Sequence, residues 1–304
     1  MQLRLGVVPE HFSSPVFLYA RDGLFAARGV DVEVVICEAG TGDMIARLQR
    51  GELDLAFCVT EGLVTAVAND PQPVRVVGTY VTSPLRWAVS TGRAAAPTTL
   101  ADLCGGTIGI SRYGSGSHIM ALYLAEREGW NAMGSQLRFT VLHNLAGLAG
   151  GVTSGTADAF LWDYFTTKHL YDAGELRHIG DVVPPWSSFT IAARVDGLLA
   201  EPAGRVAVDR FLTILNEAVA DFLNGMAVAG DQDPPSLRYL MERFKYSRAD
   251  ALAWFATVRY PADVRGVDRE EMARCLQVLT QAGAVKTTDR EPEELVDAGL
   301  ARWI

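Results

Sequence analysis

The 304 residues are enough for two domains of ordinary size, and 49% hydrophobic with 21% charged residues is the balance of a globular chain. The formal net charge is −9 and the basic residues are scattered singly, which excludes the basic stripe that neutralises the phosphates of nucleic acid. The apolar runs are too short to cross a bilayer, and the four cysteines form no CxxC pair, so we expect neither a membrane span nor a zinc cage.

In the first part of the chain, predicted strands alternate with predicted helices. The strands are expected at residues 3–8, 31–37 and 53–59, and the helices at 15–28, 43–50 and 61–69. Gly29 and Gly51 stand where the C-terminus of a helix prefers a residue that adopts the left-handed conformation. This alternation predicts parallel βαβ units. No basic and apolar leader precedes the first strand, so we expect a cytoplasmic protein; the alternative is a periplasmic or extracellular protein whose leader has been removed.

A second series of the same kind follows the break at residues 97–99. Its strands are expected at 107–111, 136–142 and 157–162, and its helices at 117–128 and 145–154. Residues 18–23 (LYARDG) and 122–129 (LYLAEREG) are similar and follow the first strand of each series, and residues 51–57 (GELDLAF) and 155–161 (GTADAFL) each lead into a third strand. Two such repeats in the same order predict two related lobes.

Two β-rich runs, at residues 74–90 and 188–195, lie where the chain would cross between the lobes, and they predict a hinge of two strands. From Leu199 onward the chain is predicted to be helical, with one apolar face expected to pack on lobe one. We therefore predict lobe one as residues 1–82 plus 193–304, lobe two as residues 83–192, and a ligand cleft between them.

Several short motifs resemble the nitrate, sulfonate and thiamine-precursor binding proteins, a family with the periplasmic-binding-protein type II fold. These motifs are residues 8–12 (VPEHF), 40–42 (GTG) and 59–62 (VTEG), and the resemblance covers about residues 1–195. Residues 9–11, 60–62, 83–87 and 162–163 are most similar to an intracellular branch, the Ca3427-like proteins. The resemblance implies two α/β lobes, each with a mostly parallel sheet flanked by helices, and a ligand held by loops at the C-terminal ends of the strands.

The residues that directly follow the predicted strands are the candidates for ligand binding, because open parallel sheets bind ligands at that edge. Residues 111–118 (SRYGSGSH) also lead directly into a helix, whose free N–H groups and positive dipole end form a cradle for an anion. The alternative is that Ser115 or Ser117 only caps this helix. The candidates in lobe one are Glu10, His11, Thr41, Gly42, Thr60 and Glu61, and those in lobe two are Arg112, Tyr113, Ser115, Gly116, Ser117 and His118.

Aromatic and further polar side chains complete this set. Trp162 could stack on a flat ligand and Asp163 could accept a hydrogen bond from an amine, although a core tryptophan and a helix N-cap are the alternatives. Trp186, after two prolines, is a candidate for a wall of the ligand site. Arg86 and Asn144 are also included. We expect a small anionic or heteroaromatic ligand, whose identity the sequence leaves open.

These features predict a binding protein that closes on its ligand, without cofactor or metal, and that delivers to an ABC transporter permease if it is exported. His11 and His118 are the one credible acid–base pair, with a purely hydrogen-bonding role as the alternative. The competing hypothesis is an enzyme that makes the thiamine pyrimidine or another cofactor precursor on the same fold. The dense cysteine cluster of the yeast-type pyrimidine synthase is missing here, and a Schiff base with pyridoxal phosphate could form only at Lys168, Lys245 or Lys286.

Overall fold

The computed structural model describes residues 2–70, 73–227, 233–287 and 289–304, and these residues form two sheets flanked by helices. The strands are β1 (Gln2–Val7), β2 (Asp31–Ile36), β3 (Leu55–Val59), β4 (Val74–Val81), β5 (Trp87–Gly92), β6 (Thr107–Ile110), β7 (Arg138–Val141), β8 (Ala159–Asp163), β9 (Leu176–Val182), β10 (Phe189–Arg194), β11 (Gly266–Val267) and β12 (Arg302–Trp303). The helices are α1 (Ser14–Arg21), α2 (Leu24–Ala27), α3 (Thr41–Gln49), α4 (Thr60–Asn69), α5 (Gly116–Arg127), α6 (Leu145–Thr153), α7 (Tyr164–Asp172), α8 (Pro202–Asn224), α9 (Pro235–Phe244), α10 (Arg248–Thr257), α11 (Arg269–Gln281) and α12 (Pro292–Leu295).

The two large sheets have the same topology. The first has the order β2-β1-β3-β10-β4 and the second the order β7-β6-β8-β5-β9. In each sheet the first three strands pair in parallel, and one inverted strand, β10 or β5, pairs antiparallel with both of its neighbours. Four of the five strands in each sheet therefore point the same way. The two-lobed α/β fold and the repeated architecture are confirmed.

The chain crosses between the sheets twice, once between β4 and β5 and once between β9 and β10. The backbone N–H of Ser188 donates to the carbonyl of Ser83 at 3.2 Å, which joins the two crossings into a hinge. The domain boundaries stay a prediction. The return boundary expected at 192/193 lies within β10, because this strand pairs with β3 and β4 in the first sheet and the crossing precedes it.

The C-terminal helices pack on the first sheet and its helices. Helix α8 lies against α1, where Tyr19 hydrogen-bonds to Asp221. The backbone N–H of Thr79 on β4 donates to the carbonyl of Val264 at 2.8 Å, and a Cβ at Gly78 would lie 2.1 Å from that same carbonyl oxygen. Glycine at position 78 therefore allows the two backbones to approach. Helix α11 contacts α4 of lobe one and α5 of lobe two, so it lies behind the hinge.

Two details differ from the sequence prediction. The helix expected at residues 15–28 is broken into α1 and α2 at Gly23, which adopts a φ of +66°, a conformation that glycine tolerates without steric cost. Strand β9 was not predicted, because its residues are only half-buried and its alternation of apolar and polar side chains is weak. Within the described residues, no helix combines the length and apolar character needed to cross a membrane.

Candidate functional site

A pocket of about 60 Å³ lies between the lobes. The ends of β1, β3, β6 and β8 converge on it, because parallel strands present their C-terminal ends at one edge of a sheet. The inverted strands β5 and β10 contribute their first residues, Trp87 and Phe189. This volume holds only a few water molecules. Of the predicted residues, those that line the pocket are Glu10, Thr41, Arg112, Ser115, Gly116, Ser117, Trp162 and Asp163.

Arg112 spans the cleft. Its guanidinium donates to the carbonyl of Ala39 in lobe one, and it lies directly over Gly42, where a Cβ would be 2.7 Å from Nε. Burial lowers the pKa of Arg112, with the charge of Asp43 acting against this shift. The predicted Gly42 thus serves as a surface on which the guanidinium rests. An anion between the lobes would find a positive charge at this wall.

The N-terminus of α5 forms the wall beside Arg112. Ser115 is its N-cap and accepts from the backbone N–H of His118 at 3.4 Å, while Ser117 Oγ accepts from the backbone N–H of Ser111 at 3.1 Å. The two hydroxyls lie 3.0 Å from each other. Capping and cleft lining therefore coexist in these serines. The N-terminus of α3 lies on the lobe-one side of the pocket, with Thr41 Oγ1 accepting from the backbone N–H of Val59 at 2.9 Å.

Two carboxylates stand elsewhere in the pocket. Glu10 is half-buried, and burial together with the nearby charge of Asp163 raises the pKa of Glu10 to about 8, against a weaker opposing effect of the Trp162 indole. Burial likewise raises the pKa of Asp163 to about 6, opposed by hydrogen bonds from the backbone N–H and hydroxyl of Thr166 at 2.7 and 2.8 Å. At neutral pH this pair therefore holds about one proton.

His11 lies beside these carboxylates. Its side chain is 1% exposed, and burial lowers its pKa to about 3, so the imidazole is neutral. Nδ1 lies 2.6 Å from the hydroxyl of Tyr246, whereas Nε2 has no hydrogen-bond partner among the described residues and stands 3.8 Å from Asp163 Oδ2. An unsatisfied buried nitrogen is costly unless another molecule pairs with it.

A second cavity of about 600 Å³ adjoins the pocket, since Glu10 lines both. His11, Phe165, Phe244 and Tyr246 form part of its wall. At its rim Lys168 on α7 forms salt bridges to Asp172 at 2.6 Å and to Asp250 of α10 at 3.1 Å. The cleft therefore has a narrow part, lined by both polar and apolar side chains, and a wider, partly aromatic part.

Four predicted residues lie outside the lining of the narrow pocket, on the hinge or the surface of lobe two. Arg86 bonds Asp181 at 2.8 Å and stacks over the ring of Tyr164. Tyr113 is 63% exposed, and His118 Nδ1 accepts from the backbone N–H of Gly114 at 3.2 Å. Asn144 caps α6. His11 and His118 are thus on different walls, each with its own partner.

Thr60, Glu61 and Trp186 are buried behind the pocket. The indole N–H of Trp186 donates to Glu61 Oε2 at 3.0 Å, and Glu61 Oε1 has no partner among the described residues. Burial raises the pKa of Glu61 to about 7, opposed by a backbone hydrogen bond and by the hydrogen bond from the Trp186 indole. Trp186 is 1% exposed and packs on Tyr123. The structure thus places these residues in the packing at the hinge.

Reasoning from the sequence missed several residues of the pocket. Trp87 and Phe189 begin the inverted strands, so a rule that considers only C-terminal strand ends passes over them. Both follow directly on the two hinge crossings, and that position was the signal available. Val59 and Leu85 also line the pocket. Together these residues supply an apolar and aromatic wall opposite the polar groups.

Lys168 is poorly suited to form a Schiff base. The carboxylates of Asp172 and Asp250 raise its pKa, whereas a lysine that forms a Schiff base needs a lowered pKa. The described residues contain no cluster of three or more His, Cys, Asp or Glu side chains that could hold a metal ion.

The comparisons with known proteins agree with this architecture. Residues 87–182 match the family described as Ca3427-like PBP, where PBP stands for periplasmic binding protein. The structure of the conserved Candida albicans CA3427 gene product, described as defining a new family with the generic periplasmic binding protein fold, is 29% identical, with a TM-score of 0.86 over 98% of this chain and 96% of that one. None of the curated proteins matches this sequence.

More distant structures share the fold. The alkanesulfonate-binding protein SsuA of Xanthomonas axonopodis pv. citri, bound to MOPS, is 18% identical, with a TM-score of 0.73 over 100% of this chain and 98% of that one. The periplasmic aliphatic sulphonate binding protein SsuA of Escherichia coli is 17% identical, with a TM-score of 0.70 over 98% of each chain.

The two sheets and these comparisons show that this chain has the periplasmic-binding-protein fold, with a pocket between its lobes. Within that class, the resemblance to the Ca3427-like family is confirmed.

Proposed function

We propose that this protein captures a small molecule with an anionic group in the cleft between its lobes, and that binding stabilises the closed arrangement. The observation that carries the proposal is Arg112, which reaches from lobe two to the Ala39 carbonyl of lobe one. A ligand anion at this position would contact both lobes. Its differential affinity for the closed state would then drive closure.

Two helix N-termini support the same conclusion. The first turns of α3 and α5 face the pocket from opposite lobes, and each presents backbone N–H groups that have no partner within its own helix. The positive ends of both helix dipoles would add to the charge of Arg112. Trp87, Trp162 and Phe189 supply flat apolar surfaces for the rest of the ligand.

The sulfonate is the anionic group that we favour. Two solved relatives of the fold are named as sulfonate-binding proteins, one of them bound to MOPS. A sulfonate stays ionised at all physiological pH values and presents three acceptor oxygens, which suits a wall of N–H donors and one guanidinium. We propose a sulfonate ligand for this chain because of its pocket, since its sequence is only 17–18% identical to those of the two sulfonate-binding proteins.

Isothermal titration calorimetry with propanesulfonate and with MOPS tests the proposal. We expect Arg112→Met to weaken the binding of both at least tenfold, and Arg93→Ala, which removes an exposed arginine of the same lobe, to leave it unchanged. Ser117→Asp should abolish binding by placing a like charge at the N-terminus of α5, while Ser117→Asn keeps the size without the charge. Binding that is indifferent to both Arg112→Met and Ser117→Asp would contradict an anion site here.

The second candidate is an enzyme of cofactor-precursor synthesis on the same fold. The paired carboxylates and neutral His11 favour it, because groups with shifted pKa values concentrate at active sites. Lys168, held by two carboxylates, argues against a Schiff base. Incubation with ligand followed by mass analysis separates the two: a binding protein returns its ligand intact.

An ABC permease is the recipient that we propose if the chain is exported, in line with a solved neighbour named as the ligand-binding component of an ABC-type import system. In the cytoplasm the same closure would buffer the ligand or present it to a soluble partner. Fractionation of cells that express the protein from its own gene decides between these recipients.

A further inference from the structure

The narrow pocket has two electrically different ends. The Arg112 guanidinium donates to the Ala39 carbonyl, and among the described residues no salt bridge joins it to Glu10 or Asp163, although all three side chains line the same pocket. In keeping with this separation, burial lowers the pKa of Arg112 against the charge of Asp43, while burial and the charge of Asp163 raise that of Glu10. One end attracts an anion, and the other end carries two carboxyl groups that lack a cationic partner in the pocket.

The carboxylate end also contains a buried nitrogen without a hydrogen-bond partner. The Thr166 backbone and hydroxyl occupy Asp163 Oδ2, and the Trp162 indole is the group that favours ionised Glu10. His11, 99% buried, contributes a nitrogen without a partner at 3.8 Å from Asp163 Oδ2. The unpaired His11 nitrogen is an observation independent of the carboxylates, and it indicates that a polar group from outside the chain belongs at this junction.

We propose that the ligand is bipolar, with its anionic group at Arg112 and a protonated or N–H-bearing nitrogen at Glu10 and Asp163. This inference rests on the proposed function and names the ligand class of that site. A cationic nitrogen would give the carboxylates the opposite charge that they lack, and a charge-assisted hydrogen bond is about twice as strong as a neutral one. The ligand class is then an aminosulfonate or a sulfonate with a basic nitrogen ring, and the 600 Å³ cavity beside Glu10 leaves room for substituents on that nitrogen.

The test compares three probes of matched length by calorimetry: 3-aminopropanesulfonate, propanesulfonate and propylamine. For the wild-type protein we expect 3-aminopropanesulfonate to bind at least tenfold more tightly than propanesulfonate. Glu10→Gln should remove that advantage, so that the affinities for 3-aminopropanesulfonate and propanesulfonate differ by no more than about twofold. Glu38→Gln, at an exposed glutamate near the same end of lobe one, is the control and should preserve the full advantage.

A second measurement uses only the wild-type protein, so it does not depend on the variant folding. Since Glu10 is largely protonated at pH 7, a cation bound against it should displace its proton. Calorimetry in buffers of different ionisation enthalpy should therefore show greater proton release with 3-aminopropanesulfonate than with propanesulfonate. The groups that face Glu10 are Asp163, His11 and Tyr246, and the pKa shifts of His11 and Tyr246 keep both neutral at this pH.

Each outcome has one meaning. If propanesulfonate binds as tightly as its amino derivative in an Arg112-dependent manner, the bipolar ligand is overturned and the proposed function stands. If propylamine binds through Glu10 while propanesulfonate does not bind, the carboxylate end stands and the anion site fails. If none of the three probes binds, both proposals are overturned for sulfonates.

Discussion

Lys168 and Asp250 form a salt bridge across the outer rim of the cleft, with Nζ of the lysine 3.1 Å from Oδ1 of the aspartate. The lysine belongs to α7, which follows β8 of lobe two, and the aspartate to α10 among the C-terminal helices. Because the pair joins the two lobes across the cleft, it stabilises the closed arrangement.

Replacing Lys168 by Met should therefore favour the open arrangement. The pair is about one quarter exposed, so we expect it to contribute about 0.2–1 kcal/mol, which corresponds to a loss of about 1.4- to fivefold in ligand affinity. In the absence of ligand, small-angle scattering should show a larger radius of gyration for Lys168→Met than for the wild-type protein. Asp172→Asn removes the other partner of Lys168, which lies on the same helix, and should change neither quantity. If Lys168→Met bound the ligand with unchanged affinity, the salt bridge would not stabilise the closed arrangement.

Gly116 lies at the contact between the lobes. A Cβ at this position would lie 2.7 Å from the Trp87 indole of its own lobe and 3.3 Å from Val59 Cγ2 of lobe one. Gly116→Ala should therefore displace the Trp87 indole that lines the pocket and crowd Val59 across the cleft, at a cost of about 1–3 kcal/mol, or roughly a five- to 150-fold loss of affinity.

The matched control for this change is Gly150→Ala on α6, where an added methyl meets no atom within 4 Å. This control should raise the melting temperature slightly, because alanine favours the helix, and leave affinity unchanged. Equal affinity in Gly116→Ala and the wild-type protein would show that the Trp87 indole moves aside without consequence.

Glu61 should make stability depend on pH. Its pKa is about 7 in the folded protein and 4.5 for the ordinary group, so between these values the folded protein holds a proton that the unfolded chain releases. Stability contributed by this group therefore falls as pH rises from 4.5 to 7 and is fully lost above that range. Glu61→Gln keeps an acceptor for the Trp186 N–H and cannot ionise.

We expect the free energy of unfolding of Glu61→Gln, measured by denaturant titration, to exceed that of the wild-type protein by about 1–3 kcal/mol at pH 8. At pH 4 the two free energies should be equal. The comparison uses the difference between the two proteins at each pH, since Glu10 titrates in the same direction in both. A constant difference across pH 4 to 8 would show that Glu61 remains ionised in the folded protein.

The architecture could be predicted because it repeats. Residues 18–23 and 122–129 lie at corresponding places, at the C-terminal ends of α1 and α5, and each series forms three parallel strands, as the alternation of strands and helices predicts. Local periodicity carries this information. Local periodicity does not show how the inverted strands β5 and β10 pair, because pairing between distant segments leaves no local pattern. Trp87 and Phe189 were therefore missed.

Side-chain direction explains the rest of the difference in the site. Glu10 and Glu61 each follow a strand of the first sheet, yet Glu10 lines the cleft and Glu61 points into the hinge packing towards Trp186. The residue after a strand is fixed in position by topology, whereas the direction of its side chain depends on the first turn of the following segment. The sequence alone does not specify that turn, and for Trp186 the two prolines before it indicated rigidity but not burial.

The last prediction is that closure is the functional event and that the ligand is not consumed. Arg112 already contacts both lobes, and Lys168 and Asp250 join them at the rim, so the closed state has its own contacts before any ligand enters. A ligand that adds contacts to both walls shifts the population further towards this state, and binding energy used in this way needs no covalent step. Scattering with and without a bound sulfonate, followed by mass analysis of that sulfonate, measures both parts of the prediction. We expect a smaller radius of gyration with the ligand and its recovery intact in stoichiometric amount. Conversion into a new product would instead support the enzyme, with Glu10, Asp163 and His11 as the first residues to replace.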